Sequence, residues 1–366
     1  MSCDYVQLAN PGVQSLQPYQ AGKPMDELER ELGIREIVKL ASNENPLGPS
    51  PKVISAIQQS LSELTRYPDS NGFQLKHALS QRFSLSSDQI TLGNGSNDLL
   101  EIVARTFLRD GTEAIYSQYA FIVYPLVTKA AGAKGIAVPA KAYGHDLTAM
   151  ADAVNEKTRV IFLANPNNPT GTCFSTSAFE TFMSRVPQSV IVVLDEAYTE
   201  FAENIDTPNG LDFLDRYSNL VVTRTFSKAY GLAALRVGFA VANPDITNLM
   251  NRVRQPFNVS SLAQTAAVTA LADSDYLQQT VQVNSQGYQQ LIDGFTALKL
   301  AFIPSAANFI TLDMKKEAQP VYQALLHQGV IVRPLAVYGL PNHLRISIGT
   351  QAENQQFLTA LEKVSL

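Results

Sequence analysis

The chain has 366 residues, of which 45% are hydrophobic and 17% are charged. At roughly 100–200 residues per domain, this length predicts two domains with an ample hydrophobic core. The formal net charge of −5 disfavours nucleic acids and anionic membranes as partners held by bulk charge. The two cysteines, Cys3 and Cys173, exclude a disulfide scaffold and are typical of a reducing cytosol.

The N-terminal sequence and the hydropathy pattern predict a soluble, cytoplasmic protein. The first residues, MSCDYVQLANPG, lack the basic and apolar regions of a signal peptide. Apolar runs reach only strand length, as in VIVVL at 190–194, and a bilayer span needs roughly 20 residues. The four histidines show no metal-ligand spacing beside the cysteines, so no metal site is predicted.

From about residue 90 to 243, short apolar strands alternate with helical stretches, which predicts an α/β fold around a mostly parallel sheet. The predicted strands are 114–118, 135–140, 159–165, 189–197, 219–225 and 236–243. The segment 226–235 between the last two strands is shorter than the dozen or more residues of a parallel crossover. The strand at 236–243 is therefore predicted to run antiparallel to the others.

The two ends of the chain predict a second, smaller α+β domain. A long amphipathic helical region at about 260–298 is followed by a few strands mixed with helices. The segment 41–51 is dense in Asn, Pro and Gly, as is typical of a connection between domains. We predict a large domain at 51–258 and a discontinuous small domain formed by 1–50 and 259–366.

Polar segments follow the predicted strands at their carboxyl ends, where open α/β sheets bind ligands. PNNPTG at 166–171 follows one strand, DEAY at 195–198 ends the next, and Lys228 follows a third. GNGSND at 93–98 opens an apolar helix, and the free N–H groups at such a start favour phosphate. The motif lacks the third glycine of GxGxxG, which disfavours a dinucleotide site.

A phosphate cradle, a carboxylate and a lysine are together what a pyridoxal phosphate site requires. The lysine condenses with the cofactor aldehyde, and the carboxylate pairs with the protonated ring nitrogen and keeps the ring an electron sink. Taken singly, Asp195 is also typical of a strand terminus or a magnesium ligand, and Lys228 of a solvated surface lysine. Their joint occurrence favours the pyridoxal phosphate interpretation.

These motifs resemble those of the class II, fold-type-I pyridoxal-phosphate-dependent aminotransferases. TFSKAYGLAALRVG at 225–238 resembles the lysine segment, and NPNNPTG, DEAY and the late RISIG are further hallmarks. PYQAGKP at 18–24, ASNENPLGPSP at 41–51 and RYPD at 66–69 resemble the histidinol-phosphate aminotransferase family in particular. The resemblance covers nearly the whole chain and implies a mostly parallel sheet with one antiparallel strand, plus a smaller discontinuous α+β domain.

The resemblance implies catalytic roles for Lys228 as Schiff-base lysine and general base, Asp195 at the ring nitrogen and Tyr198 at ring oxygen O3′. Asn168 would also bond O3′, and the Asn168–Pro169 bond would be cis. The other implied cofactor-binding residues are Gly95, Ser96, Asn97, Thr225, Ser227 and Arg236 at the phosphate, Tyr119 or alternatively Phe121 at the ring face, and Tyr67. Strand-end capping is the alternative role for Thr225 and Ser227.

The substrate-binding residues implied by the resemblance are Tyr19, Asn43, Tyr67, Asn168, Arg333 and Arg345. Arg345 resembles the family's carboxylate-binding arginine, and Arg333 stands where this family places an arginine for the substrate phosphate. For Arg333 the alternative is a strand-edge surface charge. Tyr67 would reach the site from a partner subunit, which implies a homodimer.

The predicted reaction is transamination of L-histidinol phosphate and 2-oxoglutarate to imidazole acetol phosphate and L-glutamate, which runs in reverse in histidine biosynthesis. An aromatic amino-acid aminotransferase on the same scaffold is the main alternative. A threonine-phosphate decarboxylase and a non-catalytic pyridoxal-phosphate-binding regulator are further alternatives. The regulator is disfavoured because two domains account for the chain length and no DNA-binding module remains.

Overall fold

The computed structural model describes residues 3–18 and 22–365. Its strands are β1 Val38–Lys39, β2 Ile90–Gly93, β3 Glu113–Ser117, β4 Lys134–Val138, β5 Thr158–Ala164, β6 Ile191–Asp195, β7 Leu220–Thr225, β8 Gly238–Ala242, β9 Ala301–Ile303, β10 Phe309–Asp313, β11 Val330–Ile331, β12 Arg333–Leu335 and β13 Leu340–Ser347. Its α-helices are α1 Tyr5–Leu8, α2 Pro11–Gln14, α3 Met25–Leu32, α4 Pro51–Ser60, α5 Phe73–Phe83, α6 Ser96–Phe107, α7 Val123–Ala130, α8 Leu147–Asp152, α9 Thr176–Met183, α10 Pro244–Val253, α11 Ser261–Leu271, α12 Ser274–Ala297, α13 Ala318–His327 and α14 Gln351–Ser365. Short 3-10 helices lie at Leu61–Glu63, Ser87–Gln89, Thr199–Phe201, Gly210–Phe213, Ala233–Leu235 and Ala336–Tyr338. Within these described residues, no helix combines the length and the apolar character that crossing a membrane requires.

The central sheet has the strand order β2-β8-β7-β6-β5-β3-β4. β8 is antiparallel to both of its neighbours, and the other neighbouring strands are parallel. The prediction of one antiparallel strand in a mostly parallel sheet is therefore confirmed. The six predicted strands all form, with their ends shifted by at most two residues. Sequence analysis missed β2, because its four residues run directly into the glycine-rich turn that follows.

Both faces of the central sheet are buried, as its continuous Val, Ile and Leu runs require. Successive side chains of a strand point to opposite faces. In β6, Val192 and Leu194 therefore belong to one hydrophobic core and Val193 to the other. Helices pack against both cores, so the strand ends are where a ligand is expected to bind.

A second, antiparallel sheet has the order β12-β13-β10-β9, and β1 pairs in parallel with β11 through Val38 and Val330. This pairing packs the N-terminal segment on the C-terminal unit and supports a discontinuous small domain. The domain boundaries stay a prediction. The helical region at 260–298 is divided into α11 and α12, and Ala272 and Asp273 lie between the two helices.

Candidate active site

A cavity of about 200 Å³ lies at the carboxyl ends of β5, β6 and β7, below the second sheet. The predicted site residues that line it are Asn43, Ser96, Asn97, Asn168, Asp195, Tyr198, Thr225, Ser227, Lys228, Arg236, Arg333 and Arg345. These residues are spread over some 300 positions of sequence. The topology of the two sheets gathers them, since parallel strands bring their carboxyl ends to one edge.

Three predicted site residues within the described part of the chain, Gly95, Tyr119 and Tyr67, do not line the cavity. Gly95 precedes the lining residues of α6, and Tyr119 packs instead near Tyr143, with ring centroids 6.1 Å apart. Phe121, the alternative to Tyr119, does line the cavity. Tyr67 is 82% exposed and stacks on Phe257. Tyr19 lies outside the described residues.

Asp195 ends β6 and is buried at the floor of the cavity. The Tyr124 hydroxyl donates to its Oδ2 atom at 2.8 Å, and the Thr223 hydroxyl donates to its Oδ1 atom at 3.1 Å. Burial raises the pKa of Asp195 to about 6, and the two donated hydrogen bonds oppose that rise. A buried carboxylate of this kind favours a cationic partner in the cavity.

Lys228 follows β7 and projects its amine into the same cavity. Its Nζ atom donates to the Ser42 carbonyl oxygen at 3.0 Å. Burial, together with the nearby positive charges of Arg345 and Arg236, lowers the pKa of Lys228 to about 7. A substantial fraction of this lysine is therefore neutral near pH 7, as a nucleophile or general base requires.

Tyr198 presents its hydroxyl to the cavity between two amides. Asn43 Nδ2 and Asn168 Nδ2 donate to the Tyr198 oxygen at 3.0 and 3.2 Å. Burial raises the pKa of Tyr198 to about 12, so the phenol stays protonated. With its oxygen accepting two bonds, Tyr198 retains its own hydrogen for donation.

The loop after β5 positions Asn168. The Asn168–Pro169 bond is cis, as predicted, and the Asn165–Pro166 bond is cis as well. Asn167 ties the loop to the neighbouring segment, because its Nδ2 atom donates to the Tyr119 carbonyl oxygen at 2.9 Å. Sequence analysis identified the first cis bond through resemblance and missed the second.

The start of α6 forms a concave cradle with Arg236. Gly95 has φ +80°, and a Cβ atom there would overlap the Arg236 guanidinium, so only glycine permits this approach. Arg236 Nη1 donates to the Ser227 hydroxyl at 3.3 Å, and the Ser227 N–H donates to the Thr225 hydroxyl at 3.1 Å. Thr225 thus caps the strand end and also lines the cavity. The free N–H groups and the guanidinium favour a phosphate.

Arg333 and Arg345 lie on the opposite wall, on β12 and β13. Arg333 is 9% exposed and Arg345 is 6% exposed. The alternative interpretation of Arg333 as a surface charge is therefore wrong. Arg345 donates to Asn168 Oδ1 at 2.6 Å and to the Ala41 carbonyl oxygen at 2.7 Å. Its Nε atom is buried and has no hydrogen-bond partner among residues 3–18 and 22–365. This wall favours anionic ligand groups.

Sequence analysis missed several groups that hold the site together. Tyr124 follows Phe121 by three residues, a spacing that places two side chains on one side of a helical turn. Thr223 precedes Thr225 by two residues and so shares its face of β7. Both signals are visible in the sequence. The carbonyls of Ala41 and Ser42 leave no signal, because every residue carries a carbonyl.

Comparison with known proteins agrees with this geometry. The sequence matches the family described as aminotransferase class I and II over residues 35–361. It is 59% identical to histidinol-phosphate aminotransferase 2 of Pseudomonas fluorescens, over 100% of this chain and 99% of that one. It is 57% identical to histidinol-phosphate aminotransferase 1 of Mannheimia succiniciproducens, over 98% of each chain.

Among solved structures, the fold matches that of histidinol-phosphate aminotransferase from Sinorhizobium meliloti in complex with pyridoxal-5'-phosphate. The TM-score is 0.91 at 30% sequence identity, and the match covers 98% of this chain and 97% of that one. The predicted fold-type-I transferase class is thereby confirmed. The chain belongs to the class I and II aminotransferase family.

Proposed function

We propose that the chain is a pyridoxal-phosphate-dependent transaminase for L-histidinol phosphate and 2-oxoglutarate, acting in reverse in histidine biosynthesis. The observation that carries this proposal is one shared cavity. A lysine with a lowered pKa, a buried carboxylate, a phosphate cradle and two arginines all face it. The relatives at 59% and 57% identity, both named histidinol-phosphate aminotransferases, support the same substrate.

The residues present fit pyridoxal phosphate. Gly95, which the Arg236 guanidinium approaches closely, leaves room for a phosphate. The Asp195 carboxylate, which also lines the cavity, matches a protonated ring nitrogen. Asp195, Lys228 and the cradle residues all line the same cavity. When bound, the cofactor supplies an aldehyde that takes up the amino group and a pyridinium ring that withdraws electrons.

We assign the cofactor-binding roles as follows. Ser96, Asn97, Thr225, Ser227 and Arg236, with the Gly95 turn, hold the phosphate. Phe121, which lines the cavity, would cover one ring face in place of Tyr119. Asp195 would accept a hydrogen bond from the protonated ring nitrogen, and Tyr198 and Asn168 would bind the ring oxygen.

Lys228 moves the proton of the reaction. Its free Nζ atom takes a proton from the substrate Cα and returns it on the product side. The low pKa of Lys228 serves this exchange, because a base acts best when its pKa lies near the working pH. The Ser42 carbonyl and the Tyr198 ring, 5.7 Å from Nζ, hold the amine in the cavity.

The two arginines are proposed to bind the substrate anions. A guanidinium matches a carboxylate or a phosphate with paired hydrogen bonds, so Arg345 serves glutamate and histidinol phosphate in turn. Arg333 adds the charge needed for the doubly anionic phosphate. Asn43 supports this wall, since its backbone N–H donates to the Ser347 hydroxyl on β13 at 2.7 Å.

We further propose a homodimer in which Tyr67 of one subunit reaches into the substrate pocket of its partner. Tyr19 closes the pocket of its own subunit. The exposed aromatic pair of Tyr67 and Phe257 supports the homodimer, because exposed apolar patches mark interfaces. We also propose a cytoplasmic location. Cys3 and Cys173 are both free and exposed, as is typical of a reducing compartment.

The decisive experiment is a competition of histidinol phosphate, phenylalanine and tyrosine as amino donors to 2-oxoglutarate. The proposal expects kcat/KM for histidinol phosphate to exceed that for either aromatic amino acid by at least about tenfold, since a charge-assisted phosphate contact contributes 1.5–3 kcal/mol. A preference for phenylalanine or tyrosine would favour the aromatic aminotransferase. Release of carbon dioxide from threonine phosphate, supplied as a separate substrate, would favour the decarboxylase.

A further inference from the structure

Tyr124 is a buried residue of α7 that the reaction described above does not use. Its side chain is 0% exposed, and its ring stacks on Phe162 with centroids 4.9 Å apart and an interplanar angle of 5°. The Phe121 ring packs edge-on against the Tyr124 ring, with the ring centroids 5.9 Å apart. The Tyr124 hydroxyl is therefore held in one place, and that place is within hydrogen-bond distance of Asp195 Oδ2.

The two oxygens of Asp195 each accept a hydrogen bond from a buried hydroxyl. Tyr124 serves Oδ2 and Thr223, which is 0% exposed, serves Oδ1. Both donors stabilise the ionised carboxylate and make it a weaker base. Burial acts in the opposite direction, because a low-dielectric surrounding disfavours the charge.

The balance between these two effects matters because Asp195 and a ring nitrogen would share a single proton. If burial alone acted, the carboxylate would take the proton and the ring would be neutral. The transfer breaks the ring N–H bond and forms an O–H bond on Asp195, with no change in oxidation state. A neutral ring withdraws electrons less strongly than a pyridinium.

We propose that Tyr124, together with Thr223, is a positioning residue that keeps Asp195 a weak base, so that the shared proton stays on the ring nitrogen. This inference rests on the proposed pyridoxal phosphate site. It assigns a function to a buried tyrosine that packing alone does not explain, because a phenylalanine would fill the same space.

The test is nitrogen-15 NMR of the holoenzyme, reconstituted with pyridoxal phosphate labelled at the ring nitrogen. In the wild type the resonance is expected at the pyridinium position. In Tyr124→Phe it is expected to move toward the neutral pyridine position, since a change of one pKa unit redistributes the proton tenfold. The ring stack on Phe162 is kept in this variant, so the fold is expected to be preserved.

The matched control is Tyr217→Phe. The Tyr217 hydroxyl is also buried, and within the described part of the chain it has no hydrogen-bond partner. This variant is expected to leave the nitrogen resonance unchanged. An unchanged resonance in Tyr124→Phe would overturn the inference, whereas a wild type that binds no cofactor would overturn the proposed function instead.

A second measurement does not need the cofactor. In apoprotein labelled with carbon-13 at the aspartate carboxyl groups, Asp195 can be assigned through its loss in Asp195→Asn. The inference expects its titration midpoint to rise by about one pH unit in Tyr124→Phe, the change of one tenfold step in proton affinity. An equal midpoint in the two proteins would contradict the inference even if the variant holds cofactor poorly.

Discussion

Arg333 and Arg345 are register partners across the antiparallel strands β12 and β13, so two buried guanidinium groups flank one cavity. Two neighbouring like charges repel each other, so they are stable together only where anions or polar groups interact with them. Arg345 donates hydrogen bonds to Asn168 and to the Ala41 carbonyl, which offset part of this repulsion. The pair supports the proposed selection of a substrate that carries a phosphate.

Replacing Arg333 is expected to separate the two substrates. In Arg333→Ala, KM for histidinol phosphate should rise about 10–100-fold and KM for glutamate much less, because a hydrogen bond to a charged group contributes 1.5–3 kcal/mol. Steady-state kinetics with each amino donor measure the difference. Arg345→Ala is the matched control and should raise both KM values. Equal effects of Arg333→Ala on the two substrates would argue against a phosphate role.

The reactivity of Lys228 is expected to follow its low pKa. A lysine must be neutral to attack an aldehyde, so the rate at which apoprotein takes up pyridoxal phosphate should rise with pH through about 7 and then level off. Stopped-flow absorbance over pH 5–10 measures this profile.

Two variants control the pH experiment on Lys228. Lys228→Ala should form no covalent, yellow, borohydride-reducible adduct. Arg345→Gln should move the profile to higher pH, because the positive charge of Arg345 is one of the causes that lower the lysine pKa. A reducible adduct in Lys228→Ala would show that another amine carries the cofactor.

Ionisation of Asp195 is expected to destabilise the folded apoprotein. Its pKa is about 6 in the folded chain and 3.8 as the ordinary value. Between these pH values the folded state binds more protons than the unfolded state. The contribution of Asp195 to the free energy of unfolding therefore falls as pH rises. The loss is about 3 kcal/mol and is complete above pH 6.

The Asp195→Asn variant tests this account, because it carries no titrating group at that position. Its apoprotein should match the wild type near pH 4 and be more stable by about 3 kcal/mol above pH 6, as measured by denaturant unfolding. The same variant should lose most of its glutamate half-reaction rate. Wild-type turnover in Asp195→Asn would refute the pairing with a ring nitrogen.

Tyr67 provides a test of the homodimer. Tyr67→Ala and Lys228→Ala should each be nearly inactive alone. If Tyr67 acts in the partner's pocket, a mixed dimer of the two variants contains one site with both native residues. Mixing the denatured variants and refolding them together should therefore restore activity. No recovery in a mixture that has demonstrably formed hybrid dimers would place Tyr67 outside the partner's site.

Glu196 shows why neighbouring residues of one motif take different functions. It follows Asp195 directly, and consecutive strand residues point to opposite faces. Its carboxylate is fully buried and pairs with Arg224, which lies 2.7 Å away. The motif DEAY therefore contributes Asp195 and Tyr198 to the cavity, and Glu196 links the end of β6 to Arg224 in β7. The alternation is readable in the sequence, but the partner Arg224 is not.

The sequence by itself determined the fold class and the antiparallel β8, and it predicted the main candidate site residues. These features depend on local patterns: continuous Val and Ile runs produce buried strands, and a short connection before β8 rules out a parallel crossover. Lys228, Asp195 and Arg236 stand beside strand ends, where the general rule for α/β sheets places ligands.

Only the tertiary structure decided which side chains meet. It selected Phe121 over Tyr119 for the cavity and brought Tyr124 to Asp195, 71 positions away. It also set the carbonyls of Ala41 and Ser42 against Arg345 and Lys228. Such contacts depend on strand order and on the packing of two sheets, and the local periodicity of a sequence does not encode the distances between segments far apart along the chain.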